Sequence, residues 1–368
     1  MTVRYIRVQS IADLFAPAVR AFGNIAVVGQ ATGGPENDPQ AFTNPADANR
    51  NFPGDLGTSI GMTFQQTPGP TLVYGVRTAT NGGGPDWAAA LEAVSALDVQ
   101  LVVLANTALN TTTGAVGAAV DLLADHVVSV SNTGGDGKER MGVAMLANGV
   151  TDPAIVSGAL ANERMVYIAH KSNQDAAAAV AGVIAGYEPH ISLLLKPVNI
   201  STGVFTPAEI NKINGTETFD SGPAGQGVNW LTVPVLIPGR GIYMGEAYTG
   251  NPGGKKYIDI VRTIDDVSFR LKARLIKSIG ALRISRSGLR TLIAQMEAVL
   301  NPLVSNEVIA GYDIVVPILV LLDKERASLT EAEQTQINNA QSERVVEVLV
   351  AVDYAGAIHR LAITLKFE

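Results

Sequence analysis

Residues 71–105 read TLVYGVRTATNGGGPDWAAALEAVSALDVQLVVLA, and this stretch contains the pattern that decides the fold. Thr71–Thr78 and Val99–Ala105 are apolar runs typical of buried strands, and Pro85–Leu97 between them has the spacing of a helix. A strand, a helix and a second strand in this order are typical of a parallel pair joined by a crossover helix. The stretch therefore predicts an α/β fold.

The same alternation continues on both sides of this stretch. Toward the N-terminus, Asn24–Gly29 is a buried-strand pattern followed by a glycine-rich turn. Toward the C-terminus we expect strands at Arg140–Leu146 and Met165–Ala169, and helices at Thr112–Asp125, Pro153–Asn162 and Gln174–Ala185. Apolar strands that alternate with helices predict a doubly wound, mostly parallel sheet covered on both faces.

The run Thr249–Gly254 contains three glycines or prolines in a row and predicts a domain boundary. Beyond it we expect a smaller α+β domain: a strand at Tyr257–Val261, helices over residues 264–282 and 287–305, a strand-like run from Ile309 to Leu322, and helix or loop over residues 329–342. The predicted organisation is an N-terminal arm with a first helix (residues 1–22), an α/β domain (23–250), the α+β domain (251–344) and a C-terminal strand arm (345–368).

Residues 345–368 alternate with period two in two runs separated by Ala355-Gly356, which predicts two strands with one buried face each. An amphipathic strand must pair with its own sheet or with the open edge of a neighbour. Taken alone, the pattern favours pairing within its own sheet, and exchange between subunits is the alternative. The apolar positions of the two runs are Val346, Val348, Val350 and Val352, then Leu361, Ile363, Leu365 and Phe367.

Composition limits the class of function. Of 368 residues 47% are hydrophobic and 17% are charged, so we expect extensive surface to be buried against other chains. The absence of cysteine excludes disulfides and thiol catalysis, and the net charge of −7 argues against a general nucleic-acid binder. We expect no signal peptide at Met1–Arg7, and no membrane insertion, because the longest apolar run falls far short of the roughly 20 residues that cross a bilayer.

The sequence predicts no catalytic, metal-binding or cofactor-binding residues. Gly29–Gly34 lacks the spacing of a dinucleotide-binding loop and is interpreted as a tight turn, and Gly250–Lys256 lacks the gap of a phosphate-binding loop and is interpreted as a linker. The four histidines are scattered without metal-ligand spacing. Asp265-Asp266 is interpreted as an acidic pair at a helix N-terminus.

One charge pattern stands out between Arg262 and Arg290. Eight lysines and arginines face two aspartates there, a net charge of +6, so the rest of this chain of net −7 has −13. Such a surface is either a solvated helix face or a docking surface for an acidic partner. The candidate docking residues are Arg270, Arg274, Lys277, Arg283, Arg286 and Arg290.

The order of these motifs resembles that of contractile tail sheath proteins, the subunits of the outer sleeve of myophage tails and related injection machines. The matching segments are Asn24–Pro35, Thr43–Gly54, Leu72–Gly84, Asp86–Leu104, and most strongly Lys256–Asp266, followed by a second helix and Val308–Asp313. Residues 1–10 depart from the family, because they lack its usual N-terminal "PGVYVxE" string.

The resemblance implies a structural function without a cofactor. Family members have a subtilisin-like domain without proteolysis, stack as hexameric rings around an inner tail tube, and exchange terminal strands with neighbouring subunits. On that basis we expect the partners to be further copies of the chain, the inner tube protein, and baseplate and tail terminator proteins. The resemblance also implies that residues 345–368, with the apolar positions given above, form the strand arm that is shared between subunits. The six candidate docking cations are then expected to face the inner tube. We expect a tail sheath of the virion, assembled in the host cytoplasm, whose contraction drives genome ejection.

Two alternatives remain open from the sequence. One is the sheath of a phage-like bacteriocin or injection system, which differs in context. The other is an α/β hydrolase or nucleotide-binding enzyme, since a doubly wound fold does not fix function.

Overall fold

The computed structural model describes residues 21–132, 137–217, 224–239 and 241–359. These residues form two compact units. The first, called the α/β unit, comprises the described residues from 21 to 265 together with 356–359. The second, called the C-terminal unit, comprises residues 266–355.

Nine strands of the described residues form one large sheet in the α/β unit, in the order β2-β3-β1-β6-β7-β8-β10-β11-β9. Its central pairings from β3 through β10 are parallel, while β2, β11 and β9 are antiparallel to their neighbours. Strands β4 and β5 form a separate antiparallel hairpin. The strands are β1 (Ile25–Gly29), β2 (Gln40–Phe42), β3 (Val73–Arg77), β4 (Thr80–Asn81), β5 (Gly84–Pro85), β6 (Leu101–Leu109), β7 (Met141–Leu146), β8 (Met165–Ala169), β9 (Pro197–Val198), β10 (Asn229–Thr232) and β11 (Ile242–Met244).

Helices cover both faces of this sheet. The helices are α1 (Pro45–Asn51), α2 (Asp55–Phe64), α3 (Trp87–Ser95), α4 (Ala119–Ser131), α5 (Ala176–Gly186) and α6 (Pro207–Asn214). Alternate residues of each strand enter two separate cores: Ile25 and Val27 of β1 pack with α2 and α5, whereas Ala26 and Val28 pack with α3 and α4. The predicted α/β fold with a large, mostly parallel sheet is therefore confirmed.

Helix α5 has its first ten residues buried, as its alanine-rich sequence allows. Small side chains let the backbone of α5 approach its neighbours closely. A Cβ added at Gly182 would lie 2.4 Å from the carbonyl oxygen of Thr63 on α2. The close contact between α2 and α5 therefore depends on glycine at this position.

The C-terminal unit contains helices and a two-stranded antiparallel sheet, β12 with β13. Its elements are the latter part of α7 (Ile258–Leu275), α8 (Arg286–Ser305), β12 (Ile309–Val315), α9 (Pro317–Asp323), α10 (Glu331–Glu343) and β13 (Leu349–Tyr354). The predicted apolar face of the second helix is confirmed, since Leu289, Met296 and Leu300 are buried.

Besides the helix predicted at Thr112–Asp125, which begins at Ala119, four predicted elements differ from the structure. Tyr257–Val261 was expected as a strand because of its β-branched residues, but Ile258 begins helix α7, whose first turns are buried through Ile258 and Val261. That helix was expected to reach residue 282 but ends at Leu275, and Ile279 beyond its end is exposed. The run from Ile309 to Leu322 divides at Pro317, which starts α9.

The fourth difference is at Pro153–Asn162, which forms two short 3₁₀ turns instead of a helix. Two side chains stabilise the irregular backbone there. Asp152 accepts a hydrogen bond from the amide of Ala154, and Asn162 donates to the carbonyl of Ala159. Such local side-chain bonds compete with a continuous helix.

Candidate functional site

The C-terminal strand predicted at Val346–Tyr354 is present, and it pairs within its own unit. Strand β13 runs antiparallel to β12, with Val350 opposite Ile314 and Leu349 opposite Val315. The predicted alternation agrees with the packing. Val350 contacts the core that contains Leu300, while Val346 and Val348, which precede the strand, contact the core that contains Leu289 and Ile337.

This two-stranded sheet offers surface for a further strand. Within the described residues, this sheet consists of the two strands β12 and β13. One face of the sheet is also open to solvent, since Leu349 is 53% exposed and Val315 opposite it is 40% exposed. Unpaired backbone groups on a strand edge are the template for β-augmentation. The second predicted run, Leu361, Ile363, Leu365 and Phe367, lies outside the described residues.

The six predicted docking cations lie on or next to α7 and α8 of the C-terminal unit, but they differ in their contacts. Arg270 pairs with Asp266 on its own helix at 2.8 Å. Arg286 and Arg290 both face Asp323, at 3.6 and 3.1 Å, and Arg286 also donates to the carbonyls of Leu322 and Lys324. Arg270 therefore has its own acidic partner within the unit, and Arg286 and Arg290 share one.

The other three cations are Arg274, Lys277 and Arg283. Arg274 is half-buried on α7, whereas Lys277 and Arg283 are exposed in the segment between α7 and α8. Lys277 and Arg283 are therefore exposed cations of the predicted surface.

Arg262, which belongs to the same charge run, is buried in the α/β unit. Its guanidinium donates to the carbonyls of Tyr187, Glu188 and Phe22. Two of these carbonyls follow the end of α5, where backbone acceptors lack helical partners. Arg262 is thus a structural cap, and it does not contribute to a basic surface.

A buried polar centre lies where α2, α5 and β6 meet. Asp175 is the N-cap of α5 and accepts hydrogen bonds from the amide of Ala178 (2.9 Å), the hydroxyl of Ser59 (2.6 Å) and the amide of Asn106 (2.7 Å). Burial raises the pKa of the Asp175 carboxyl, and the donated hydrogen bonds and nearby His170 oppose this rise. Its three partners all donate, which suits an ionised carboxylate.

The proximity of Ser59, Asp175 and His170 invites comparison with a hydrolytic triad, but the hydrogen bonds differ from one. A triad serine gives its proton to histidine, whereas Ser59 donates directly to Asp175. Both ring nitrogens of His170 are occupied by backbone, since Nε2 lies 3.0 Å from the carbonyl of Leu146 and Nδ1 accepts from the amide of Ser172. Burial lowers the pKa of His170. The centre therefore stabilises the fold and has no activated nucleophile.

A second polar cluster involves the C-terminal segment. His359 lies 2.9 Å from the hydroxyl of Ser192 through Nε2 and 3.2 Å from a carboxylate oxygen of Glu246 through Nδ1. Both distances suit hydrogen bonds. Sequence inspection missed this cluster, because its members are separated by 54 and 113 residues and have no motif spacing.

Two surface grooves are described. One, of about 430 Å³, lies beside the edge strand β9 in the α/β unit, and the other, of about 370 Å³, lies beside α9 and α10 in the C-terminal unit. Neither is lined by Ser59, Ser192 or a histidine. Among the described residues, no three His, Asp or Glu side chains are grouped to hold a metal ion, and no helix is long and apolar enough to cross a membrane.

Comparison with known proteins gives matches in structure only. No family model and no curated protein sequence matches the chain. The sheath of PVC, an extracellular contractile injection system, in its contracted state has a TM-score of 0.68 at 14% identity and covers 100% of this chain and 98% of its own. The contracted helical sheath of the anti-feeding prophage has a TM-score of 0.65 at 15% identity and covers 100% and 99%. A sheath tail protein from Listeria innocua has a TM-score of 0.59 at 10% identity and covers 94% and 99%.

These matches show that the chain has the fold of contractile sheath proteins over nearly its whole length. The resemblance found in the sequence is confirmed at the level of the fold. At 10–15% identity the similarity does not extend to contacts between particular residues.

Proposed function

We propose that the chain is a structural, non-catalytic subunit of a contractile sheath. It polymerises as stacked hexameric rings around the inner tube of a phage tail, and contraction drives the tube through the host envelope for genome ejection. Its partners are further copies of itself, the inner tube protein, and baseplate and tail terminator proteins, without nucleic acid or membrane insertion. It is assembled in the host cytoplasm and becomes part of the virion tail.

The observation that supports this proposal is the extent of the structural match. The contracted sheath subunits of two injection systems cover the whole of this chain, and the chain covers 98–99% of theirs. Both compact units therefore have counterparts, including the small unit that contains β12 and β13. A likeness restricted to the α/β unit would be compatible with many enzymes.

The two-stranded sheet of β12 and β13 supports strand exchange between subunits, because a further strand can add to an edge of such a sheet. We propose that the run containing Leu361, Ile363, Leu365 and Phe367 pairs with such an edge in a neighbouring copy. A contact between different surfaces of identical subunits generates an open helical array, as a sheath requires. Strand β13 itself, with Val350, belongs to the subunit that encodes it.

We also propose that the positive charges between α7 and α8 face the inner tube. Lys277 and Arg283 are the main candidates because they are exposed, whereas Arg286 and Arg290 share Asp323. Attraction between exposed charges is modest and falls with ionic strength, so it can hold a tube without preventing release.

The second candidate is the sheath of an extracellular injection system or bacteriocin. The anti-feeding prophage and PVC sheaths match with TM-scores of 0.65 and 0.68, against 0.59 for the Listeria sheath tail protein, and they also cover more of the chain. These two matches support the second candidate, in which the role of the subunit is the same as in a phage tail.

Electron microscopy of the purified chain tests the role. We expect striated tubes with six subunits per ring, and a chain that stays monomeric at high concentration would refute the proposal. The matched variant lacks residues 360–368 and keeps β13. We expect it to fold and to form no tubes, because the exchanged strand is missing.

A charge reversal tests the tube-facing surface. Lys277→Glu with Arg283→Glu should prevent sheath from assembling around tubes while leaving tube-free polymers unchanged. Arg50→Glu with Lys212→Glu changes the net charge equally on exposed sites of the α/β unit and serves as control. Equal sheath assembly in both variants would show that this surface does not contact the tube.

A further inference from the structure

The turn between α7 and α8 of the C-terminal unit presents two isoleucines to solvent. Ile276 is 65% exposed and Ile279 is 80% exposed. Both belong to one 3₁₀ turn that starts at Ile276, in which the amide of Ile279 donates to the carbonyl of Ile276 at 3.4 Å. Side chains three residues apart in such a turn lie nearly over one another. The two side chains therefore form one exposed apolar patch, called the isoleucine pair.

The backbone that presents the isoleucine pair is hydrogen-bonded to its surroundings. The carbonyl of Ser278 accepts from the amide of Ala281 at 3.1 Å, and the hydroxyl of Ser278 donates to Gln295 on α8. Further along the turn, Gln341 on α10 donates to the carbonyl of Ile284 at 3.2 Å. A surface that is already held in place loses little conformational freedom when a partner covers it. The isoleucine pair is therefore preorganised for binding.

The isoleucine pair does not contribute to the packing of its own unit. The two apolar cores of the C-terminal unit contain Leu300 and Leu289, and neither isoleucine is among their described residues. Exposed side chains gain no stability from burial, so folding gives no reason for two large apolar residues at this turn. Adjacent apolar side chains that are exposed in the free protein are typical of an interaction site.

The segment around the isoleucine pair is basic. Residues 267–296 contain seven lysines and arginines and no aspartate or glutamate. Lys277 lies between the two isoleucines in the sequence and is exposed, as is Arg283. An apolar centre with cations around it complements a partner surface on which carboxylates surround an apolar hollow.

We propose that Ile276 and Ile279 anchor the C-terminal unit in an apolar hollow on an acidic surface of the inner tube. This inference rests on the proposed function, in which Lys277 and Arg283 face the tube through their charge. The charges guide the approach and weaken with ionic strength, whereas the buried isoleucines add a contact that salt does not screen. Central apolar residues of an interface contribute more to affinity than charges at its rim.

An anionic lipid surface would also attract a basic turn with apolar side chains. Binding to lipid increases with the apolar area that is inserted, and two isoleucines on a short turn offer little area. A hollow in a protein surface can enclose both side chains on several sides, so the same area contributes more there. The isoleucine pair therefore favours a protein partner.

Two double variants test the anchor in particles made from the full set of tail genes, with the variant as the sheath gene. Ile276→Ser with Ile279→Ser removes the apolar patch and keeps every charge, whereas Ile276→Leu with Ile279→Leu keeps its apolar volume. The matched control is Val235→Ser with Leu236→Ser, which removes an apolar pair of the α/β unit that is 97% and 95% exposed. Because all these side chains are exposed, thermal unfolding should stay close to wild type.

Electron microscopy gives the fraction of tubes that have a sheath, and separately the polymers that each purified chain forms without a tube. We expect the serine variant to reduce the sheathed fraction about tenfold or more, since a central interface contact is lost. The leucine variant should retain most of the sheathed tubes, and the control should match wild type. Polymers without a tube should be the same for all four proteins.

The outcomes separate the anchor from the proposed function. Serine-variant sheaths that surround tubes as often as wild type overturn the anchor and leave the sheath function standing. An equal loss of tube-free polymers also overturns it, because the isoleucine pair would then contact a second copy of the chain. Sedimentation of wild type, but not of the serine variant, with vesicles of phosphatidylcholine and phosphatidylglycerol would assign the pair to lipid and overturn it as well. A wild-type chain that forms no sheath refutes the proposed function, and the anchor falls with it.

Discussion

Acid should weaken this protein through His126, which lies on α4 beside the buried guanidinium of Arg140. Nη1 of Arg140 lies 3.3 Å from Nε2 of His126, so the imidazole accepts a hydrogen bond in its neutral form. Burial, and then the charge of Arg140, lower the pKa of His126 from 6.5 to about 4. Protonation of the folded state would place a second cation against Arg140 in a water-poor site.

The size and direction of the effect follow from the two pKa values. In the unfolded chain His126 is protonated below pH 6.5, whereas in the folded chain it is protonated only below about pH 4. The contribution of His126 to the unfolding free energy is therefore constant above pH 6.5 and decreases as the pH falls toward 4. A difference of about 2.5 pH units corresponds to about 3 kcal/mol of unfolding free energy.

The measurement compares wild type with His126→Gln, whose amide oxygen still accepts from Arg140. Urea unfolding at intervals between pH 7 and pH 4 gives the free energy of each protein. Carboxylates and His170 titrate equally in both, so the difference isolates His126. We expect wild type to lose about 3 kcal/mol more than the variant across this range. Parallel pH profiles would refute a buried, neutral His126.

Four further substitutions test helix caps and buried hydrogen bonds by urea unfolding. Asp175→Ala should cost about 3–5 kcal/mol, because it removes the cap of α5 and leaves the donors of Ser59 and Asn106 unpaired, whereas Ser59→Ala should cost about 1 kcal/mol; equal losses would contradict this. Arg140→Met should cost about 3 kcal/mol, because several carbonyls at the end of α3 lose their donor, and a loss below 1 kcal/mol would show that water replaces the guanidinium. Thr330→Ala should cost about 1 kcal/mol, since it removes the capping box of α10, and an unchanged midpoint would show that this helix end is not limiting.

The strands and helices of the α/β unit could be predicted because buried parallel strands are continuous apolar runs. Met165–Ala169 was predicted with both ends correct, and all five residues are buried. The start of α7 was mistaken for a strand, because the β-branched residues of Ile258–Val261 are buried on a helix rather than in a sheet. Whether this segment forms a helix or a strand is decided by its packing in the tertiary structure, and the local sequence does not show that packing.

Buried arginines were the hardest residues to interpret. Arg140 and Arg262 are nearly inaccessible, and both donate to backbone carbonyls that follow helix ends. In the sequence Arg262 looks like one member of a basic run, since its carbonyl partners come from residues about 75 positions earlier. A count of charges along the sequence assumes that each charged side chain is exposed. This assumption fails for an arginine that is buried and donates hydrogen bonds to backbone carbonyls left without helical partners.

The division of residues 345–368 bears on how such a subunit can exist before it assembles. If the whole stretch were exchanged, β12 would lack a partner in the free chain, and the core around Leu300 and Ile309 would lose the cover of Val350. Because β13 is supplied by the same chain, β12 is paired within the chain itself, and the exchange proposed above adds only a further strand from a neighbour. On the proposed sheath function, the pairing of β12 with β13 therefore precedes assembly, and exchange joins subunits without opening the core around Leu300. Deleting residues 345–368 should accordingly give an unstable chain, whereas deleting residues 360–368 should give a folded one, and equal thermal stability of the two would contradict this division.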